Sequence, residues 1–367
     1  TLADYQLQDK NGNVKSGSAY SAKPAYAKDP ADIINYVSKH DNETLWDQLQ
    51  YGLPADMTLE DRVRVQNITG NIPFVSQGIP FFQLGGDLIR SKSMDRNTYD
   101  AGDWFNYVDF TKMTNNWNVG LPLAQDNQGQ WTTIGGLISN SETNPMAAHI
   151  ELSSAVFNEF IGIRNSSKLF RLPTAQDVTD RVGFHNTGSS QTQGLIIMSL
   201  DDGLGLEDID PNHDAVVIVI NGTDSEQSHN ILTASDFTLH TLQQSSADTV
   251  VRSANFVEEA NSGTFTVPAL TMAVFVKLQN GGQGTGLAAD VTLNKPDVAP
   301  FGETVVYLRG SMNNFGDDGL TEADELTYQG NNIYSIDYVL PAGSHTFKLA
   351  SSDYSVVNLG FNEVDFA

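Results

Sequence analysis

Apolar positions along this chain recur in three textures. In the first, short apolar runs alternate with helix-spaced positions. Ile33-Ile34-Asn35-Tyr36-Val37 predicts a short buried strand that runs out into polar residues. Thr58-Leu59-Glu60-Asp61 has the form of a capping box, with an acid three residues after a Thr. Val65, Ile68, Ile72 and Val75 follow at helical spacing, and Pro73 is expected to disturb the last turn. Gly78–Leu84 predicts the next strand. Strand, helix and strand in this order make a βαβ unit, which implies a parallel pair. Arg90–Trp131 then reads as a long polar loop. Asn144-Pro145 opens a helix, with Asn at the N-cap and Pro at the first helical position. Ile150, Phe157, Phe160, Ile161 and Arg164 continue it, so Met146–Arg164 predicts a long amphipathic helix closed off before Pro173.

After Pro173 the texture changes to short β runs: Gly194–Leu200, Ala215–Ile220, Phe237–Leu242, Thr264–Val267 and Met272–Val276. Turn clusters separate them, a spacing that predicts an antiparallel β-sandwich. Gly281–Ala299, Gly-rich and then Pro-punctuated, reads as a linker. Thr304–Arg309, Ile333–Val339 and His345–Leu349 predict a last all-β unit. Residues 1–30 are polar and turn-rich and read as a connecting loop. The fold class expected is therefore α/β plus all-β.

Composition narrows the partners. The chain has 367 residues, enough for two or three domains with substantial cores. With 20 basic and 45 acidic residues the formal net charge is −25. That argues against nucleic acid, whose phosphates need a basic surface, and against anionic membranes. It suits a neutral substrate. With no cysteine there is no disulfide, thiolate zinc site or cysteine nucleophile. No run of about 18 apolar residues predicts a membrane span. The chain opens Thr1-Leu2-Ala3-Asp4-Tyr5 without an initiator Met and is read as a fragment, so a missing signal peptide says nothing about export.

Three places carry candidate chemistry. His40, Asp41 and Asn42 sit just past the first strand, at the end where parallel α/β barrels place their chemistry. Such a cluster can hydrogen-bond sugar hydroxyls, and its carboxylate can stabilise developing positive charge. The same residues can instead cap the next helix, with Asp41 or Asn42 as N-cap. The Arg90–Trp131 loop presents Tyr99, Trp104, Phe105, Tyr107, Trp117 and Trp131. A loop this long is usually functional, and flat rings pack on the C–H faces of pyranoses, although each ring can equally anchor the loop. Asp201, Asp202, Glu207, Asp208, Asp210 and Asp214 crowd a third stretch, which reads either as a calcium site or, as so acidic a protein favours, a solvated loop. Asn314, Asp318, Gly319 and Glu325 match a calcium loop only in part, because Gly316 falls on a ligand position. The histidines form no H-E-x-x-H motif, and no G-x-S-x-G is present.

Two blocks carry a resemblance. Tyr36–Asp47 (Y-V-S-K-H-D-N-E-T-L-W-D) resembles the fourth conserved region of the α-amylase superfamily, family 13 of the glycoside hydrolases, in the form used by type I pullulanases. Gly78–Asn106 (G-I-P-F-F-Q-L-G-G-D-L-I-R-S-K-S-M-D-R-N-T-Y-D-A-G-D-W-F-N) is similar to the segment of bacterial secreted pullulanases around the last barrel strand and the loop after it. Val108–Pro122 continues the match, which extends more weakly to about residue 280. Tyr307–Phe315 (Y-L-R-G-S-M-N-N-F) resembles the opening of starch-binding, immunoglobulin-like modules, with Phe315 where those often carry Trp; Tyr354 falls near a second platform aromatic.

The resemblance implies the C-terminal portion of a (β/α)8 barrel over 1–172, with Met146–Arg164 as its eighth helix. A β-sandwich over 173–280, a linker over 281–300 and a starch-binding-like module, incomplete as it stands, over 301–367 follow. It also implies a debranching hydrolase that cuts α-1,6 links by retention in pullulan, amylopectin and limit dextrins, needs no cofactor, is compatible with a structural Ca2+, and is secreted or held at a bacterial cell surface. Asp41 would be the third, transition-state-stabilising carboxylate, with His40 and Asn42 on the same sugar and Tyr99 and Trp104 as further contacts. The family's nucleophile Asp and acid/base Glu lie in motifs of the G-F-R-F-D and G-E-G-W-D kinds, which are absent from these residues. The missing N-terminal half of the barrel is then a required partner, and this chain alone is expected to be inactive. The other reading is a non-catalytic α-glucan-binding or surface-adhesion β protein with a barrel remnant.

Overall fold

The computed structural model describes residues 3, 5–20, 27–287, 299, 301–330, 333–340, 342–360 and 364–366. It forms two compact units, one of Thr1–Asp202 with Ile209–Lys295 and one of Gly203–Asp208 with Pro296–Ala367. Most of the stretch expected as a linker lies outside the described residues. Among the described residues no helix is long and apolar enough to cross a membrane.

The first unit opens with an antiparallel hairpin, β1 (Gln6–Gln8) and β2 (Val14–Ser16), and a single turn, α1 (Gly17–Tyr20). The βαβ unit follows: β3 (Ile34–Asn35), α2 (Leu45–Gly52), α3 (Leu59–Val75) and β4 (Ile79–Pro80), with Ile34 opposite Ile79 in parallel register. β3 is not buried as its sequence predicts. Ile34 and Tyr36 are more than half or half exposed, because the pair has no further strand beside it among the described residues. Thr58 caps α3 as expected, accepting from Asp61 N at 3.2 Å and donating to Asp61 Oδ2 at 2.9 Å. Pro73 is absorbed inside the helix, which runs on to Val75. The buried face of α3 differs from the expected one. Arg62, Val63, Gln66, Asn67, Asn71 and Phe74 turn inward, while Val65, Ile68 and Ile72 are only partly covered.

Two helices follow in the stretch between the loop and the long helix: α4 (Ala124–Asn127) and α5 (Trp131–Ile138). The long helix is α6 (Ala147–Ser166), whose N-cap is Met146 rather than Asn144; the Met146 N–H donates to His149 Nδ1 at 3.1 Å. Arg164 of α6 seals the end of α3, donating to Phe74 O at 2.6 Å, Ser76 O at 2.9 Å and Gly78 O at 2.8 Å. Phe74 O is one of the carbonyls that the last turn of α3 leaves unbonded, Ser76 and Gly78 follow it, and a cation suits that end of the dipole.

After α7 (Ala175–Arg181) come β5 (Val182–Phe184), β6 (Leu195–Asp201), β7 (His213–Asn221), β8 (Gln227–Leu232), β9 (Phe237–Leu239), α8 (Thr241–Gln244), β10 (Asn255–Glu258), β11 (Ser262–Val267) and β12 (Thr271–Leu278). They build an antiparallel five-stranded sheet of order β5-β6-β7-β12-β9 and a three-stranded sheet of order β10-β11-β8. Strand period explains the run Ala215–Ile220, which is apolar at every position. Ala215, Val217 and Val219 share one core with Ile231, Phe265 and Val267 of the smaller sheet. Val216 and Ile218 share another with Phe74 and Val75 of α3 and Val156, Phe160 and Ile163 of α6. A strand covered on both faces reads as a continuous hydrophobic run. β8 and β10 escaped the sequence reading because Gln227-Ser228-His229-Asn230 and the outer face of β10 carry little apolar signal.

The second unit has β13 (Tyr307–Gly310), β14 (Thr327–Gly330), β15 (Ile333–Ser335), β16 (Gly343–His345), β17 (Phe347–Ala350), β18 (Asn358–Gly360) and β19 (Val364–Phe366). β17 pairs with both β13 and β18, and β14–β15 and β16–β19 are separate antiparallel pairs. The expected strand Ile333–Val339 stops at Ser335.

Candidate functional site at the ends of the parallel strands

β3 and β4 lie side by side through Ile79 N to Ile33 O at 2.9 Å and Phe81 N to Asn35 O at 2.8 Å. Gly78, just before β4, has φ +96°, and a Cβ there would meet Ile33 O at 2.9 Å and Pro30 O at 3.0 Å. Only glycine meets both conditions. Beyond the carboxyl ends, Ser38 Oγ donates to Gln83 Oε1 at 2.7 Å, which keeps the two emerging chains together.

The next turn holds His40, Asp41 and Asn42. The Asp41 carboxylate is more than half exposed, pairs with Lys39 Nζ and lies 3.2 Å from His40 Nδ1. The hydrogen bond and charge of Lys39 hold the Asp41 carboxyl below its ordinary range, with His40 and Lys92 adding smaller pulls. Asp41 is thus a carboxylate at neutral pH, the form that stabilises positive charge. Neither Asp41 nor Asn42 caps α2. Thr44 does, accepting from Asp47 N at 3.3 Å, and Asn42 instead takes φ +60°.

A second layer supports the turn. Ile89, Ser91, Lys92, Ser93, Met94 and Asp95 are all at most 1% exposed. The fully buried Asp47 of α2 ties this segment down: Ser91 Oγ donates to it at 2.6 Å, Lys92 N at 2.8 Å and Met94 N at 3.1 Å. Burial still raises its pKa to about 6 against these bonds. Ile89, Ser93 and Met94 take φ of +54°, +50° and +64°, a left-handed region that costs such residues of order 1 kcal/mol each. Lys92 Nζ reaches back and donates to Asn42 O. Asp47, Ser91 and Lys92 were not singled out from sequence. Their polar letters resemble any loop, and the signal available was that Asp47 closes the Tyr36–Asp47 block while Ser91 and Lys92 fall inside the Gly78–Asn106 block.

Between Val37-Ser38 and Thr44-Leu45, which flank the turn, and α3 lies an open cleft whose walls include Val37, Trp46, Gln66, Asn71, Gln83 and Phe157. Trp46 Nε1, Gln66 Oε1, Asn67 Oδ1 and Asn71 Oδ1 are buried there without a hydrogen-bond partner among the described residues.

The rings of the Arg90–Trp131 loop divide. Phe105 and Trp117 are buried anchors, and Trp117 packs edge-on against Trp46 with centroids 6.5 Å apart. Tyr99 is 85% exposed and Trp104 65%, with Trp104 Nε1 donating to Val119 O at 2.9 Å. Burial also revises the acidic stretch. Only Glu207 and Asp208 are exposed, while Asp201, Asp202, Asp210 and Asp214 are buried. Asp202 pairs with Arg181, Asp210 with His213 at 3.2 Å, and Asp214 accepts from Gly284 N at 2.9 Å. These acids knit main chain together rather than standing in solvent. Among the described residues no group of three or more His, Cys, Asp or Glu is arranged to hold a metal. In the second unit Tyr354 Oη donates to the main-chain carbonyl of Phe315 at 3.2 Å, which ties the two segments expected to carry a platform. The Tyr354 face is occupied, however, by the Arg309 guanidinium at 3.8 Å from the ring centre. Phe315 is half-buried at φ +52°.

Comparison with known proteins fits this geometry. Residues 112–278 match the family of alpha-1,6-glucosidases, pullulanase-type, C-terminal. The chain is 41% identical over 290 residues to pullulanase 1, chloroplastic, of Arabidopsis thaliana, covering 76% of this chain and 30% of the relative. It is 39% identical over 290 residues to the pullulanase of Klebsiella pneumoniae, covering 78% of this chain and 26% of that protein. The apo crystal structure of the Klebsiella pneumoniae pullulanase superposes with a TM-score of 0.71 at 36% identity, over 78% of this chain and 31% of that one. The same protein complexed with maltotriose gives 0.71 at 35% identity, over 79% and 28%. The chain thus spans less than a third of these relatives, and its mixed helix and sheet content is that of the region it matches. The chain belongs with the C-terminal parts of the pullulanases, as the Tyr36–Asp47 and Gly78–Asn106 blocks implied.

Proposed function

We propose that this chain is the C-terminal portion of a retaining debranching enzyme that hydrolyses α-1,6-glucosidic links in pullulan and branched starch-type glucans. The observation that carries this is an ionised carboxylate, Asp41, on the exposed turn past two parallel strands, in a chain related to pullulanases over three-quarters of its length. In this reading β3, β4, α3 and α6 close a (β/α)8 barrel whose other strands come from the missing N-terminal half. The five- and three-stranded sheets are its β-sandwich, and the second unit is a starch-binding-like module, immunoglobulin-like in layout. Export or surface display suits an enzyme whose polymeric substrate does not cross membranes.

Retaining glycosidases place a nucleophile and an acid/base about 5–5.5 Å apart and pass through an oxocarbenium-like transition state. Those two carboxyls belong to the missing half, so the chain alone does not hydrolyse. Asp41 supplies negative charge facing the sugar as positive charge develops, and in a partly desolvated site this stabilises the transition state more than the ground state. His40 donates to hydroxyls of the same sugar, Asn42 lines the site, and Tyr99 and Trp104 offer ring faces to neighbouring pyranoses. Phe315 and Tyr354 are the corresponding rings of the second unit. The chemistry uses carboxyls and water and needs no cofactor.

The test is the intact mass of the native protein together with its pullulan hydrolysis. A mass far above 39.9 kDa with activity is expected, and Asp41→Asn should then lower kcat by about 10³-fold with the fold retained. A native mass equal to this chain, no hydrolysis and retained starch binding would instead leave a glucan-binding protein.

A further inference from the structure

Lys92 is 1% exposed, and its Nζ donates to the main-chain carbonyl of Asn42, the residue after Asp41. A buried ammonium whose acceptor among the described residues is a neutral carbonyl is a poor stabilising device. Desolvation costs it several kcal/mol, and one neutral acceptor returns only part of that. Burial lowers its pKa accordingly, with the fields of Asp47, Asp95 and Glu43 opposing and Arg90 adding to the fall. An apolar side chain of the same length would fill the space at less cost.

The placement gives the lysine a use. Its main-chain N–H is fixed to Asp47, which also holds Ser91 and Met94, so the base of the side chain is anchored to α2. Its tip grips the Asn42–Glu43 peptide, one residue past Asp41. The turn itself is exposed, with the His40 side chain 87% and the Asp41 side chain 58% open, and Asn42 is left-handed. Without a tie from below, the Asn42 carbonyl and the peptide plane before it could rotate, carrying the Asp41 carboxylate with them. We propose that Lys92 is a positioning residue that clamps the Asn42 carbonyl and so fixes the direction of the Asp41 carboxylate. This rests on the role proposed for Asp41. Lys92 touches no substrate and works through the turn.

The experiment uses the intact enzyme and four variants: Asp41→Asn, Lys92→Met, Lys92→Arg and the double Asp41→Asn/Lys92→Met. Lys92→Met should lower kcat on pullulan about 10- to 100-fold, the cost of misplacing a catalytic group by about 1 Å, while KM moves less than about threefold. Its urea midpoint should hold or rise. Lys92→Arg, which keeps a donor, should recover part of the rate. In the Asp41→Asn background Lys92→Met should cost less than about twofold, because the group it positions is gone. An unchanged kcat in Lys92→Met beside a damaged Asp41→Asn overturns the clamp alone. An unchanged rate in Asp41→Asn overturns the reading of Asp41 and the clamp with it. If Lys92→Met does not fold, Lys92→Gln, polar but too short to reach Asn42 O, takes its place. Failure of both to fold makes the lysine structural and overturns the proposal.

Discussion

Two regions of the first unit are built on opposite principles. In the sheets, the central stretches of β7 and β12, residues 215–219 and 272–276, bury only aliphatic and aromatic side chains: Val216, Val217, Ile218, Val274 and Phe275 are fully covered, and each strand has a neighbour on both sides. In the strand–helix part, the buried face of α3 carries Arg62, Gln66, Asn67 and Asn71, and the segment below the Asp41 turn buries Ser91, Lys92, Ser93 and Asp95. The first arrangement maximises apolar burial, worth roughly 25 cal/mol per Å2. The second gives up part of that gain for directed polar groups and left-handed backbone. The comparison teaches where stability resides and where orientation is held. Phe275 offers the most severe test of it. Phe275 sits at the centre of the stronger region, in contact with Phe265 at 5.1 Å between ring centres. Phe275→Ala should lower unfolding free energy by about 3–5 kcal/mol while the folded fraction keeps its kcat. A loss under about 1 kcal/mol by urea denaturation would place the stability elsewhere.

Glu159 sits where the two regions meet. It projects from α6 toward Gln243 and Ser246, with Asp248 and Arg252 nearby, and burial raises its pKa from 4.5 to about 7. The folded state therefore binds a proton that the unfolded state has released between these values. Its contribution is complete below about pH 4.5 and is lost as pH rises through 7. His240 works in the opposite sense. Burial, and then the charge of His213, depress it from 6.5 to about 4, so its contribution is present above 6.5 and lost as pH falls through 4. The two slopes partly cancel in the native protein. Glu159→Gln should remove one of them. The variant should match the parent at pH 4.5 and exceed it at pH 8 by about 2 kcal/mol, after allowance for partial exposure. Urea midpoints that run parallel across this range would show that Glu159 titrates normally.

How legible each region was follows from the same contrast. The apolar strands announced themselves: the runs at Ala215–Ile220 and Met272–Val276 are β7 and β12 to within a few residues. So did the capped start of α3 and the His40-Asp41-Asn42 turn, the latter through resemblance more than through pattern. The polar faces did not. Val65, Ile68 and Ile72 have helical spacing, but they lie on the less covered side, and the inward face of α3 instead carries Gln66, Asn67 and Asn71 along the cleft. Periodicity finds hydrophobic faces, and it is silent where burial is polar. The support of Lys92 and Asp47 was missed for this reason, and β8 because most of its positions are polar and open.

The cleft gives the smallest effect and the sharpest discrimination. Asn71 Nδ2 donates to Asn67 O at 2.8 Å, while Asn71 Oδ1 has no partner among the described residues. If that oxygen is dry, Asn71→Leu removes an unsatisfied acceptor costing about 1–3 kcal/mol and gives up one hydrogen bond worth about 1. Leu keeps the branched heavy-atom skeleton of Asn and its larger methyl groups have the cleft to fill, so stability should stay level or rise by about 1 kcal/mol. If the oxygen instead binds ordered water in the intact protein, the same substitution strands that water's other partners and stability falls by more than about 1 kcal/mol. We expect the first outcome, because Phe81, Phe82 and Phe157 make much of the wall apolar. The second would mean that the strand–helix part is as fully satisfied as the sheets. The contrast between the two regions would then be one of solvent rather than of strain.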